Sequence, residues 1–492
     1  MRMTNSWKRM HGAAVVVLFV SRIKDFIFPL LLTFFAGGTG TLFGQEWIFP
    51  ALLLVLFLHS LFSWLFFRFR LEEQELRIKQ GIFVKKRRYI QRKKVQSVDI
   101  SAGIIQRTFG LVKIKIETAG GGMVPEVSII ALSKDDAEEI RESLLYGAAE
   151  SVSLEETDAV DEDTAVEKTR EEVTYQKKIP ARYIFYAGIT SGKVGLFFSA
   201  AAAIFSQFDQ FIPESFYEST VGYILDLSLW FLVLFFFLIA IIAWVGSTVV
   251  TMLQYGQFEI KLINKEMIIK RGLLEKKQLT LRPERITSVR YTCNPLQQML
   301  GFWRIYIDSA GGGSEKESFS TVLLPLGSKT MAEEIIHHIR PDLQMEPGLA
   351  RVPKRAARRY IFRASWMGWL LAVAAAIWVP YGSMLFVLPL LLTWLGWTQY
   401  RSAGLAEDHN KLVLQNRLIS KQHAVLPKTA IQSYTKQYHY LQERNQLCSI
   451  TVDILSSSGG REFSLRDLDT EKGKDLLQWF SEPAEQKEVP AD

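Results

Sequence analysis

The stretch Leu76–Gly122 occurs again further along the chain, and that repetition limits what the chain can become. The first copy reads LRIKQGIFVKKRRYIQRKKVQSVDISAGIIQRTFGLVKIKIETAGGG; from Met267 the chain reads MIIKRGLLEKKQLTLRPERITSVRYTCNPLQQMLGFWRIYIDSAGGG. The offset is constant across every landmark: Gly81 answers Gly272, Gln96-Ser97-Val98 answers Thr287-Ser288-Val289, Gln106 answers Gln297, and Gly110 answers Gly301. A weaker third copy starts at Leu412, with Ile431-Gln432-Ser433, Leu441-Gln442 and Ile450-Thr451-Val452-Asp453 in the same places. Three copies make a tandem array, so the function belongs to the repeated unit.

Within a copy the local signal is β. In Leu111–Glu117, Val112, Ile114 and Ile116 alternate with Lys113, Lys115 and Glu117, the period of a half-buried strand. Glycines break such runs, and each copy ends in a helical segment: from Ser133, from a possible capping box at Thr330 and Glu333, and from Glu471. The unit is several short antiparallel strands plus a C-terminal helix over about 80 residues, near the lower limit for a domain that folds alone.

Two apolar segments precede each copy: roughly 23–42 and 47–67, 194–212 and 221–245, 366–379 and 383–400. About 20 apolar residues in a helix cross the hydrocarbon core. A shorter apolar arm (Ala13–Val20, Tyr183–Ile189, Tyr360–Phe362) and a polar break (Ser21–Asp25, Thr190–Lys193, Arg363–Ser365) stand before each first segment. The arms are expected to lie in the membrane interface; the competing reading is one long kinked helix with Lys193 inside a bundle. Two crossings per repeat return every β-rich module to one side. The connections Gly37–Glu46, Ser206–Thr220 and Pro380–Gly382 hold no Lys or Arg, whereas the opposite flanks hold Arg68, Arg70, Lys177, Lys178, Arg182, Arg358, Arg359 and Arg401. The positive-inside rule then assigns both termini and all modules to the cytoplasm. The apolar run Gly12–Val20 lacks a cleavage pattern and is followed by a longer one, so an uncleaved multi-pass protein of the cell membrane is expected. Two cysteines, in different repeats, exclude a disulfide framework, and the net charge of +7, gathered beside apolar runs, points to anionic lipid and away from nucleic acid.

This order of elements, the Gln-Ser-Val and Gln-x-x-x-Gly landmarks and the Gly-Gly-Gly turn resemble the bacterial pleckstrin-homology-like (PH-like) domain family, and over nearly the full length the YdbT-type membrane proteins of Gram-positive bacteria. The resemblance implies a fold, a bacterial plasma membrane and often a shorter neighbour with one such domain; it implies no reaction. The expected class is an integral membrane α-helical protein, with about six transmembrane helices in three pairs, plus three α+β PH-like domains, each an antiparallel barrel or sandwich with a C-terminal helix. The expected division is 11–69 (transmembrane pair 1), 70–147 (PH-like domain 1), 148–179 (acidic linker), 180–253 (pair 2), 254–341 (domain 2), 342–358 (basic linker), 359–401 (pair 3), 402–480 (domain 3) and 481–492 (polar tail).

The basic run Lys85, Lys86, Arg87 and Arg88, followed by Arg92, Lys93 and Lys94, is a candidate contact with anionic headgroups; the alternative is a topology determinant on a solvated strand. Copy two keeps part of it (Lys276, Lys277, Arg282, Arg285) and copy three only Lys421 and Lys428, so a phosphate pocket shared by every copy is excluded. Tyr434, Tyr438 and Tyr440, read as outward residues of copy three, are candidate partner contacts. His59 lies within the second apolar segment, as a functional group or as a neutral histidine bonded to a neighbouring helix. His337, His338, His409, His423 and His439 lack zinc spacing. The Gly-Gly-Gly turns are hairpin loops rather than phosphate cradles, and Gly327-Ser328-Lys329-Thr330 breaks the P-loop order. No catalytic, cofactor or metal residues are expected, and hence no enzyme. The leading expectation is a membrane scaffold whose modules assemble with a membrane-protein partner or with further copies. A transport, export or envelope-stress component and an anionic-lipid sensor are the alternatives.

Overall fold

The computed structural model describes residues 7–35, 45–72, 75–82, 84–118, 127–145, 173–191, 229–263, 266–309, 321–345, 348–378, 382–456 and 460–482. Module 1 follows the helices α1 (Ala14–Phe35) and α2 (Gln45–Phe66). It comprises β1 (Arg68–Leu71), β2 (Glu75–Gln80), β3 (Lys86–Gln91), β4 (Val95–Ala102), the short helix α3 (Ile104–Thr108), β5 (Leu111–Thr118), β6 (Val127–Ser133) and α4 (Lys134–Leu145). Module 2 begins with β7 (Val173–Lys178), α5 (Ala181–Ile189) and α6 (Leu229–Tyr255). It continues with β8 (Glu259–Ile263), β9 (Glu266–Arg271), β10 (Lys276–Leu281), β11 (Ile286–Cys293), α7 (Pro295–Met299), β12 (Phe302–Ser309), β13 (Thr321–Ser328) and α8 (Lys329–Ile339). Module 3 has β14 (Ala350–Arg351), α9 (Ala357–Trp378), α10 (Val387–Ser402), β15 (Gly404–Asp408), β16 (Lys411–Arg417) and β17 (Lys421–Pro427). After these come β18 (Ile431–Gln437), α11 (Tyr440–Glu443), β19 (Leu447–Ile454), β20 (Arg461–Asp469) and α12 (Thr470–Ser481).

The sheets do not respect the repeats. Among the described residues four antiparallel sheets form: β1-β2-β3, β6-β5-β4-β10-β9-β8-β7, β13-β12-β11-β17-β16-β15-β14 and β18-β19-β20. The second half of module 1 is hydrogen-bonded to the first half of module 2, and the second half of module 2 to the first half of module 3. Each module still has its own core, with Ile78, Ile114 and Ile116 central in module 1, Ile269, Ile305 and Ile307 in module 2, and Leu412, Ile450 and Val452 in module 3. The buried Ala406, Val413 and Val425 of module 3 belong to the core cluster of module 2.

The chain before each helix pair belongs to the module after it. Lys8 bridges Phe69, β7 pairs with β8, and β14 pairs with β15. Met10 and Ala14, Ile179 and Ile184, and Val352, Ala356 and Tyr360 are buried in the corresponding cores. The last residues of both stretches read as linkers, 148–179 and 342–358, therefore supply strands.

Among the described residues, Phe237–Tyr255, Lys354–Trp378 and Gly382–Ser402 are long and apolar enough to cross a membrane, and Ala14–Ile23 and Pro50–Phe66 are shorter apolar stretches. The arms expected ahead of the first segments are not separate in modules 1 and 3. There α1 and α9 run straight through Ser21–Asp25 and Arg363–Ser365. Their polar side chains find partners without breaking the helix: Arg22 donates to Ser63 Oγ (3.3 Å), and Ser365 Oγ donates to the Ile361 carbonyl (2.9 Å). In module 2 the arm is a helix of its own, ending at Ile189 with Thr190 as C-cap; Lys193 lies outside the described residues. Helix α6 continues to Tyr255, past the expected end at Val245, and there the Thr248 and Thr251 hydroxyls find partners in the Trp244 and Ser247 carbonyls of the helix itself. In the third pair, Gly396 lets the helices touch: a Cβ there would stand 2.8 Å from Ile361 Cα.

The landmarks shared by the copies are local devices. Gln297 Oε1 accepts from the Asn294 amide and Gln442 Oε1 from the His439 amide, both at 3.0 Å, which caps α7 and α11. The residue ending that turn is left-handed in every copy: Gly110 at φ +67°, Gly301 at +69° and Gln446 at +52°. Nothing lies within 4 Å of a Cβ at Gly110 or Gly301, so what favours glycine there is the left-handed backbone and not a lack of space. Gly81 and Gly272 are different, since a Cβ would meet the Val84 or Glu275 carbonyl oxygen at 1.9 or 2.0 Å. The serine of the third landmark donates across the bulge to an acid, Ser288 to Asp308 and Ser433 to Asp453. Helix α8 is capped by Ser328, whose Oγ accepts from the Met331 amide at 3.2 Å, in place of the expected Thr330.

Candidate functional site

The two module junctions have one geometry. At the first, Val98 of β4 stands opposite Thr280 of β10; at the second, Val289 of β11 stands opposite Val425 of β17. Val98 and Val289 are the same position in their copies, as are Thr280 and Val425, so the register is identical. The short helix after the donor strand then reaches the hairpin turn of the next module. Arg107 on α3 donates to the Leu273 and Leu274 carbonyls (2.8 and 3.2 Å), and its counterpart Gln298 on α7 accepts from Arg417. The second junction adds Ser420 donating to Asn294 (2.5 Å), Thr287 to the Leu455 carbonyl (2.9 Å) and Arg461 to buried Asp308 (2.9 Å).

Among the described residues, the same elements are unpaired at the two ends of the array. Strand β3 is the acceptor edge without a donor, and β18, followed by α11, is the donor edge without an acceptor. The sequence-predicted residues fall on these edges. Lys86, Arg87 and Arg88 lie along β3 and are exposed, as are Lys85 before it and Lys93 and Lys94 after it; Arg92 is half-buried and its guanidinium is lowered by desolvation. The bases thin out in later copies because the equivalent strands β10 and β17 are interior, where Lys421 packs over Trp303 and burial lowers its ammonium pKa. Charge along an open edge discourages uncontrolled strand addition.

The tyrosines separate. Tyr438 and Tyr440 are 61% and 72% exposed at the end of β18 and the start of α11. Tyr434 is not an outward residue: it packs on the module 3 core, stacks on Phe480 and donates to the Gly473 carbonyl at 2.8 Å, holding α12. Its counterpart in module 2 is the fully buried Val289, so the repeat itself points this position inward. Among the described residues His59 makes no hydrogen bond to a neighbouring helix; it is exposed about two turns before the module-side end of α2 and lines a recess with Arg22. The Gly-Gly-Gly turns lie outside the described residues, although the strands flanking them pair antiparallel.

Two buried groups gave no signal in the sequence. Asp467, in β20 at φ +58° with a fully buried side chain, receives Arg359 (2.8 Å) and Arg363 (2.9 Å) from α9 and Gln442 (2.8 Å) from α11. Burial alone would raise its carboxyl; the bonds from Gln442, Arg363 and Arg359 outweigh that and hold it below the usual carboxylate range. His423, on β17 opposite Tyr291 and against Trp303, is buried at the second junction. Desolvation, helped by Lys421 and Lys329, pushes it down to about 3. The folded protein therefore keeps His423 neutral while the unfolded chain takes up a proton below about pH 6.5, so stability falls as the pH drops from about 6.5 towards 3. At pH 5 the loss is about 2 kcal/mol. In a denaturant titration of the full chain, His423→Leu is expected to remove that slope. It should also raise stability at neutral pH, since neither ring nitrogen has a hydrogen-bond partner among the described residues.

Among the described residues, no group of three or more His, Cys, Asp or Glu could hold a metal ion. The bacterial PH domain family matches the chain three times, over residues 20–148, 220–343 and 359–484; the first and third spans take in both apolar segments ahead of the module, the second only the later one. The chain is also 30% identical over 487 residues to the UPF0699 transmembrane protein YdbT of Bacillus subtilis (strain 168), an alignment that spans 96% of this chain and 98% of that protein.

Proposed function

The chain belongs to the bacterial PH domain family, and on that premise we propose that it is a non-catalytic membrane scaffold that docks a second membrane protein bearing a PH-like module. In this reading six helices in three pairs cross the cell membrane, with the modules on the cytoplasmic side where the flanking Lys and Arg gather. The observation that carries the proposal is the repeated junction. The chain joins PH-like modules strand to strand twice in one register, and among the described residues both halves of that junction stand open at the ends of the array. Strand addition gives affinity through the main chain, and side chains beside the edge give the choice of partner. A second copy fits less well than a distinct partner. The same register would set Arg87 of β3 opposite Lys436 of β18, and like charges directly opposite are destabilising.

The test is affinity purification of the full chain from gently solubilised membranes. Tyr438→Asp with Tyr440→Asp should abolish recovery of a partner docked on β18. Arg87→Glu with Arg88→Glu should do the same for one docked on β3. An unchanged set of co-purified proteins in both variants sinks the reading.

A further inference from the structure

A recess recurs where the helix pair meets its module. In module 1 it has a volume of about 480 Å³, lies under the β2–β3 turn, and is lined by Arg22, His59, Ser63, Gln80, Lys86 and Ser128 among others. In module 3 it measures about 560 Å³ and is lined by Arg363, Gln399, Arg417, Gln422, Ser464 and Arg466. Nine lining positions are equivalent in the two copies, among them Ser63 and Gln399, Gln80 and Asn416, Lys86 and Gln422, and Ser128 and Ser464. Both linings hold cations and hydrogen-bond donors, and among the described residues neither includes an Asp or Glu; Arg363 is already paired with Asp467 behind the lining, so Arg417 and Arg466 are the cations module 3 offers. Part of each wall is apolar: Leu18, Phe67, Ile82 and Val84 in module 1, Leu418, Ile419 and Leu465 in module 3.

Module 2 closes the same place. There the turn sits on the end of α6, with the Gly272 amide bonded to the Gly256 carbonyl (2.7 Å) and the Leu273 amide to that of Leu253 (2.9 Å). Leu273 lies so close that a Cβ on Gly256 would stand 2.3 Å from it. Modules 1 and 3 have Leu65 and Arg401 at the Gly256 position, so the turn cannot settle in this way. Packing thus does not require the recess.

We propose that the recesses of modules 1 and 3 each bind a phosphate group at the membrane surface, as the headgroup phosphate of an anionic glycerophospholipid whose glycerol and upper chains lie on the apolar wall. Cations without acids suit a phosphate. The site stands at the end of membrane helices, where anionic lipid meets basic groups.

The experiment is native mass spectrometry of the full chain in detergent, with added phosphatidylglycerol, with diacylglycerol of the same chains, and with inorganic phosphate as competitor. The wild type should retain two phosphatidylglycerol molecules and no diacylglycerol. Arg22→Gln with Lys86→Gln, and separately Arg417→Gln with Arg466→Gln, should each leave one, with affinity at the altered recess falling about fivefold for each cation removed. Lys86→Arg should bind like the wild type, which separates lost charge from lost fold. Lys277→Gln, the equivalent change in closed module 2, should have no effect. Displacement by millimolar inorganic phosphate would make the source a soluble anion; retention against it would make it the lipid. Equal retention by wild type and all variants, or equal binding of diacylglycerol, overturns the proposal.

Discussion

Proline at Ala424 or at Val425 should each cost about 3 kcal/mol or more and loosen modules 2 and 3 together. Both residues lie in β17, which is hydrogen-bonded to β11 on one side and β16 on the other; Ala424 stands between Arg290 and Leu414. In an interior strand successive amides bond to opposite neighbours, so neither position can lose its N–H without breaking a ladder. The contrast is β18, which among the described residues pairs with β19 alone. Of its adjacent residues Thr435 and Lys436, one directs its N–H away from the sheet, and proline there should cost under about 1 kcal/mol. Thermal unfolding of the four full-length variants, with limited proteolysis to locate the opened region, decides the matter. If Ala424→Pro or Val425→Pro is tolerated as easily as the better β18 variant, β17 is an edge strand and the modules are not fused.

Asp467→Ala should destabilise the chain by about 3 kcal/mol. The carboxylate is fully buried and joins two arginines of α9 to Gln442 of α11, so its loss strands three donors and places a Cβ residue other than Asn or Asp at positive φ. Arg359 and Arg363 are partly exposed, and that solvent contact keeps the figure at the lower end for a broken buried pair. Asp467→Asn, which tolerates the backbone and keeps a carbonyl acceptor, should cost clearly less. Because the folded carboxyl is held below its unfolded pKa, this stabilisation is complete above about pH 4 and is lost as the pH falls through the lower folded value. An Asp467→Ala protein with wild-type unfolding temperature and wild-type acid sensitivity would show that α9 is held to module 3 by other contacts.

The β-character of the copies, their helical ends and their cores were legible because alternation and repetition report burial directly. Ile114 and Ile116 were read inward and are fully buried. Strand pairing between modules was not legible, because main-chain bonds leave no residue signature. The one trace was the loss of bases from β3 to β10 and β17, which was read only as evidence against a pocket shared by every copy and accompanies the change from an edge to an interior strand. Tyr434 was misplaced by weighing its chemistry above its position, which aligns with buried Val289. Asp467 and His423 are single residues whose roles depend on neighbours distant in sequence: Arg359 and Arg363 on α9 for the first, Tyr291 and Trp303 of module 2 for the second. No local pattern could assign them.

The strand that enters each module before its helix pair sets an order of events during synthesis. When the ribosome has released β7, the strand that will receive it, β8, is still to come, and the second helix pair stands between them. Under the proposed topology, module 2 can close its sheet only after that pair has been threaded and the chain has returned to the same side. Failed insertion would leave Val173–Lys178 without its ladder and Ile179 and Ile184 outside the core they help fill. Under that topology a finished module is a record of correct membrane entry.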